Sequence, residues 1–174
     1  MSYSPQICNP VIHQENSATI ASPVEIRAAD PADLPLVQSI ARRTIDRCYR
    51  LFLGNEGVDW FINSGESDRE LQKHIDSCDV LLKENTPVAF VIYFDDLIHL
   101  MMVDVDLHRE GFGSQLLAHC EKQLFGRGHP KIRVESFEGN HQAINFYQKN
   151  DWVVTGRQEN KDHGFVSVYF EKNA

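Results

Sequence analysis

This sequence predicts an α/β (α+β) fold, a single domain with a mixed, mostly antiparallel sheet flanked by helices, on three observations. Apolar runs of strand length alternate with helical stripes in the order β-α-α-β-β-β-α-β-α-β-β. Two strand-to-helix junctions carry turn or capping residues where the period changes, Gly111 and Gly113 at one and Asn140 at the other. The chain has 174 residues, 42% of them hydrophobic, which is the size of one domain with a substantial core.

In chain order, residues 1–23 are polar, hold Pro5, Pro10 and Pro23, and keep no sustained period. They are expected to form a flexible tail ahead of a domain over 24–174. Val24–Ala28 alternates as a first strand. Asp30 then reads as an N-cap, with Pro31 at the first helical position and Asp33 in the first turn. Leu34, Val37, Ile40, Ala41, Ile45 and Cys48 continue a helical stripe. From 49 to 65, aromatic and acidic residues alternate between glycine-marked turns. Ser67 and Glu70 have capping-box spacing and are expected to open a second helix with Leu71, Ile75 and Cys78 inward. Residues 80–83 and 88–93 read as neighbouring strands across the turn at 84–87, followed by a strand at Leu97–Val103. Leu116, Leu117, Cys120 and Leu124 share one helix face, with Gly126 as a stop. Ile132 and Val134 alternate with Arg133 and Glu135 on the next strand. A helix from Asn140 through Tyr147 and two last strands, near 152–155 and 165–170, complete the order.

Composition narrows the function. The net charge of -8 and the lack of a basic stripe exclude a nucleic-acid footprint and are compatible with a cationic or amine substrate. No apolar run reaches membrane-span length, and the N-terminus lacks a signal-peptide pattern, so no membrane association and a cytoplasmic location are expected. Cys8, Cys48, Cys78 and Cys120 are scattered without a C-x-x-C pair, which reads as reduced thiols and no metal.

The stretch from 103 to 147 carries the chemistry. A strand feeding the G-x-G turn at Gly111 and Gly113 and then a helix presents free backbone N–H groups with the positive end of the helix dipole behind them, a phosphate site. Its second half, from Val134 to Tyr147, is another strand-to-helix unit. Together the two units resemble the GNAT N-acetyltransferases, whose Q/R-x-x-G-x-G/A loop binds acetyl-CoA and is followed by an N-x-x-A-x-x-x-Y helix. His108, Arg109, Glu110, Gly111, Phe112 and Gly113 match the loop, with His108 in place of Gln or Arg. Asn140, Ala143 and Tyr147 match the second motif at full spacing, and the resemblance covers about residue 24 to the C-terminus. One departure lies after this helix, where the family has Gly-Phe and this chain has Asn150, Asp151 and Trp152, leaving Asn150 or Asp151 to take the left-handed turn.

The resemblance implies a GNAT-like fold, acetyl-CoA as acetyl donor and an amine as acceptor. It places the pyrophosphate on the amides of 109–114 and the thioester and pantetheine arm on the backbone of Met101, Met102 and Val103, with Asn140 bonding the pantetheine or pyrophosphate arm. Tyr147 falls where the family keeps its general acid, and a phenol near ~10 suits a thiolate whose thiol titrates near ~8.5. Glu135, on the polar face of its strand, is the candidate base; a water chain is the other route for the amine proton. The segment after the first helix lines the acceptor side in the family, which makes Tyr49, Phe52, Glu56, Asp59 and Trp60 candidate pocket residues. A reading from another class is a CoA-binding sensor without turnover. A nucleotide-binding domain is disfavoured, because the Lys-Ser/Thr of a P-loop is missing. The acceptor's identity is not written in the sequence, and both a monomer and a homodimer are compatible with it.

Overall fold

Val24–Ala28 forms β1, and the reversal after it is fixed by two carboxylates. The Asp30 side chain accepts from the Ala32 N–H at 2.8 Å, and Asp33 accepts from the Asp30 N–H at 2.8 Å. This reciprocal cap opens a short 3-10 turn, and α1 (Leu34–Cys48) continues from it with Pro35 in its first turn, where no intrahelical donor is lost. The computed structural model describes residues 24–161 and 164–174, so the tail expected over 1–23 lies outside the described residues.

The sequence order held one helix too few. Residues 50–63 form α2 (Arg50–Asn63), broken at Gly54, whose φ of 75° and ψ of 165° are not helical. α3 (Glu66–Lys73) follows after a left-handed Gly65, which is itself the N-cap. The expected capping box at Ser67 is therefore corrected: Gly65 turns the chain so tightly that Ser67 is already inside the first helical turn, and buried. Leu71 points inward as expected, whereas Cys78 belongs to the next strand.

Six further strands complete the sheet: β2 (Cys78–Lys83), β3 (Thr86–Phe94), β4 (Leu97–Val103), β5 (Lys131–Phe137), β6 (Val153–Asn160) and β7 (Phe165–Asn173). The seven strands lie in the order β1-β2-β3-β4-β5-β7-β6, antiparallel except for β4 and β5. Glu84 and Asn85, both at positive φ, make the tight β2–β3 hairpin. α4 (Phe112–Gly126) joins β4 to β5, and α5 (His141–Lys149) joins β5 to β6. Asp151 takes the left-handed turn after α5, with φ of 65°.

The sheet separates two apolar cores. On one face α4 and α5 bury Leu116, Leu117, Leu124 and Tyr147 against Ile132, Val134 and Phe170. On the other, α1, α2 and α3 bury Val37, Ile40, Val58 and Leu71 against Val80, Phe90 and Ile92. β4 and β5 are paired only at Leu97–Arg133 and Ile98–Val134. The β3–β4 register slips at this level: Ile92 faces Leu100 and Tyr93 faces Ile98, leaving His99 as a bulged extra residue. Beyond the bulge β4 stays paired with β3 and parts from β5.

One polar lock closes the α4 side. Lys172 reaches both oxygens of Glu121 at 2.9 Å and the Asn150 carbonyl at 2.9 Å, and the Trp152 indole N–H donates to Glu121 at 2.8 Å. With Lys172 and Glu121 largely screened from water, Glu121→Ala strands a cation and an indole N–H together. The expected loss is about 2–4 kcal/mol. Urea unfolding of the variant beside the parent measures it, and an unchanged midpoint would show the lock to be ornamental.

Candidate active site

Where β4 and β5 part, a cleft of about 550 Å³ opens between β4, the turn before α4, and α5. One edge of β4 pairs with β3 through Met101, Met102 and Val103, and past Ile98 the other edge has no strand partner among the described residues. The Val103 carbonyl is already occupied, accepting from Thr44 Oγ1 at 3.2 Å and from His108 Nε2 at 3.0 Å. Gln142 Nε2 lies 3.2 Å from His108 Nδ1. An amide nitrogen can only donate, so Nδ1 accepts and the ring proton sits on Nε2, directed at Val103. His108 thus ties the end of β4 to the first turn of α5, a side-chain connection in place of the family's Gln or Arg.

The loop between β4 and α4 is held from α1. Arg43 pairs with Asp104 and Arg47 with Asp106, both from the helix on the opposite sheet face. Arg109 and Gly111 stand at positive φ, 70° and 88°, and Gly111 is the N-cap of α4 with no side chain to close it. The first-turn amides of Phe112, Gly113 and Ser114 are left without intrahelical acceptors, and these residues line the cleft. Arg109 and Lys149 bring positive charge to the same walls. Asn140 caps α5, accepting from the Ala143 N–H at 3.1 Å, and its amide nitrogen remains for the cleft.

Tyr147 is buried among Phe146, Trp152 and Phe170, with ring centroids 5.4, 5.7 and 5.5 Å away. Its hydroxyl makes no hydrogen bond among the described residues, yet no buried side-chain oxygen there lacks a partner; the hydroxyl therefore reaches the cleft that the residue lines. Burial, with smaller contributions from Tyr49 and Cys120, pushes this phenol upward, so it keeps its proton throughout the neutral range. Tyr49, across the cleft, is pushed up to about 12 by burial.

Of the residues singled out for cofactor binding, Met101, Met102, Val103, His108, Arg109, Gly111, Phe112, Gly113, Ser114 and Asn140 line the cleft, together with Tyr147. Glu110 points away and pairs with Lys83 at 2.9 Å. Of the acceptor-side residues only Tyr49 lines it. Phe52 packs at a tilt against Tyr49 and Phe137, with ring centroids 5.0 and 5.5 Å away, and lies over Gly139. A Cβ at Gly139 would come within 2.3 Å of Phe52, which explains the glycine before Asn140. Glu56 and Trp60 are exposed on α2, outside the cleft lining, and Asp59 pairs with Arg50. Glu135 also stands outside it. It lines a second, more polar groove of about 410 Å³ with Gln158, Ser167 and Tyr169, and makes no hydrogen bond or ion pair among the described residues. The Tyr49–Phe137–Phe165 aromatic row, with centroids 5.9 and 5.0 Å apart, runs between groove and cleft.

Sequence reading missed Thr44 and Cys48 on α1, and Gln142, Asn145 and Lys149 on α5, all of which line the cleft. Thr44 and Cys48 are spaced i, i+4, as are Asn145 and Lys149, but such pairs mark a helix face and not what it faces.

The cleft is thus walled by a strand edge without a partner among the described residues, an amide-lined loop and a buried phenol. Residues 44–152, more than half of the chain, match the model of the Acetyltransferase (GNAT) family, and the chain belongs to that family. It is 30% identical over 81 residues to the Salmonella typhimurium peptidyl-lysine N-acetyltransferase YjaB, a match covering 47% of this chain and 52% of the relative. The chain thus spans about half the length of the curated relatives it matches. A GCN5-related N-acetyltransferase structure from Rhodopseudomonas palustris superposes with a TM-score of 0.77 at 17% identity, covering 89% of this chain and 98% of that one. PaiA N-acetyltransferase from Thermoplasma acidophilum, solved with coenzyme A, gives 0.72 at 20% identity, covering 87% and 99%. These two likenesses establish the fold.

The loop geometry has a direct consequence. Gly111→Val places a β-branched side chain at φ of 88°, which costs at least about 1–2 kcal/mol of local strain and redirects the amides that follow. Calorimetric titration with CoA is expected to show at least a tenfold weaker complex while the circular dichroism of the fold is kept. Equal affinity in variant and parent would remove the loop from the binding site.

Proposed function

We propose that this chain transfers the acetyl group of acetyl-CoA to an amine by direct attack, with no covalent enzyme intermediate. The observation that carries the reading is the meeting, in one cleft, of the open β4 edge, the loop residues Arg109 and Gly111–Ser114, and the Tyr147 hydroxyl, which has no partner among the described residues. The donor supplies an activated thioester carbonyl, and everything else falls to the chain. The amides of 109–114 hold the pyrophosphate, and Asn140 bonds the pantetheine arm. The unpaired edge at Met101 and Met102 offers main-chain donors to that arm and to the oxygen on which charge develops.

The amine reaches the cleft from the side of α1 and α2, past Tyr49. An alkylammonium near ~10 must lose a proton before it attacks. Glu135 is the proposed acceptor of that proton: it is exposed, has no partner among the described residues, and stands in the groove beyond the Phe137 aromatic row. Tyr147 donates toward the departing sulfur. Because burial holds its proton tightly, it shares that proton as sulfur charge builds rather than surrendering it outright. The similarity to the Salmonella peptidyl-lysine N-acetyltransferase supports a peptide lysine as the acceptor class. A second reading, a CoA-binding regulatory module without turnover, draws on the separation of Glu135 from the cleft lining.

Thiol release from acetyl-CoA, followed with lysine peptides, polyamines and small amines, separates the two readings: no acceptor-dependent release supports the module. In the same assay Tyr147→Phe is expected to lower kcat by about 10²-fold with little change in acetyl-CoA affinity. Full turnover in that variant would leave Tyr147 a packing residue.

Glu135→Gln is expected to slow kcat/KM at neutral pH by about tenfold or more and to recover partly as pH rises, since solution then supplies more free amine. A variant pH profile that overlays the parent's would take Glu135 out of the reaction and leave a water chain.

A further inference from the structure

Three donor side chains meet on the α1–α3 face of the sheet, outside the cleft. Glu70 and His74 stand four residues apart at the C-terminal end of α3, on one side of it. His99 is the bulged residue of β4, and the bulge turns its ring toward α3 rather than leaving it in the alternating pattern. Glu70 Oε1 lies 2.7 Å from His99 Nε2 and 3.4 Å from His74 Nε2, so both imidazoles address the same oxygen. One ligand atom from each residue lies within 4.8 Å of the other two.

The rings are braced as well as gathered. Phe94 stacks on His74 with centroids 5.3 Å apart and planes at 19°, and it also touches the His99 ring at 5.3 Å. Its apolar surface backs the two imidazoles and limits their rotation. The opposite side is open: the three side chains keep 40%, 19% and 31% of their exposure for Glu70, His74 and His99.

We propose that Glu70, His74 and His99 bind a divalent transition-metal cation of the zinc class, two imidazoles and one carboxylate leaving a position open to water. Bonds of about 2.0–2.1 Å to a tetrahedral ion require ligand atoms about 3.3–3.4 Å apart. The Glu70–His74 distance of 3.4 Å meets this already, and the 2.7 Å Glu70–His99 hydrogen bond is the contact the ion replaces. Two imidazole nitrogens favour zinc, cobalt or nickel over magnesium or calcium, which take oxygen. The absence of a cysteine pair therefore did not remove metal binding, because the donors here are Glu-x-x-x-His on a helix and a histidine on a strand.

The test uses the tag-free full chain after chelator dialysis. Titration with Co²⁺ is expected to raise a visible d–d absorption that saturates at one equivalent and is displaced by Zn²⁺. His74→Gln and His99→Gln are each expected to weaken Zn²⁺ binding at least tenfold by calorimetry and to abolish the Zn²⁺-dependent rise in Tm. Glu70→Gln, at the most exposed of the three positions, repeats the loss with the least disturbance of packing. His119→Gln removes a histidine that bonds one carboxylate, Asp79, at 2.7 Å with no second imidazole, and it is expected to bind as the parent does. No saturable Co²⁺ band, or equal Zn²⁺ affinity in all three cluster variants, overturns the proposal and leaves a hydrogen-bonded brace between α3 and β4.

Discussion

The separation of β4 from β5 is the constraint on which the rest of this structure depends. Parallel pairing survives for two residue pairs and then stops, at the level where His99 is inserted as an extra residue opposite β3. A continuous sheet would satisfy the main chain of Met101 and Met102 with a neighbouring strand. The bulge instead bends β4 away, and the freed edge becomes a wall of the cleft. α4 leaves from the end of that wall and α5 from the end of the other, so both helix starts face the opening.

An opening of this kind needs bracing, and α1 supplies much of it from across the sheet. Thr44 holds the last carbonyl of β4, while Arg43 and Arg47 hold the two aspartates that follow. An exposed ion pair is worth at most about 1 kcal/mol, so these contacts do little for global stability. Their effect is positional. Three side chains on successive parts of one rigid helix set where the chain stands just before Arg109 and Gly111 take their left-handed turns. His108 completes the frame by joining the same carbonyl to Gln142 on α5.

Local signals made most of this legible in advance. The β1 strand, the Asp30 cap, the α4 stripe and the Asn140 cap each depend on residues within a turn or two, and each appears where its spacing placed it. The errors arise where a local signal competes with a neighbour or where the decisive partner is distant. Ser67 has the chemistry of a cap, but Gly65 ends the preceding turn first. The segment 49–65, whose aromatic and acidic residues alternate between glycine-marked turns, shows no helical stripe in sequence, although helix continues on both sides of Gly54. The bulge at His99 follows from β3–β4 register, which no single segment encodes, and the Glu70–His74–His99 cluster was hidden with it. Glu135 was assigned to the polar face of β5 by alternation alone; that it opens into a separate groove depends on β6 and β7.

The sheet also divides the molecule's capacity to change. Side chains that hold α4 and α5 belong to one core, those that hold α1, α2 and α3 to the other, and seven strands stand between them. Substitutions at the exposed α2 positions Glu56 and Trp60 therefore leave the core beneath α4 and α5 untouched, whereas Phe52, packed over Gly139, and α1, which braces the turn before Arg109, tie the two faces together. In evolutionary terms the chain is partitioned across its thickness rather than along its length. An exposed position on one surface can change without renegotiating the packing beneath the opposite one.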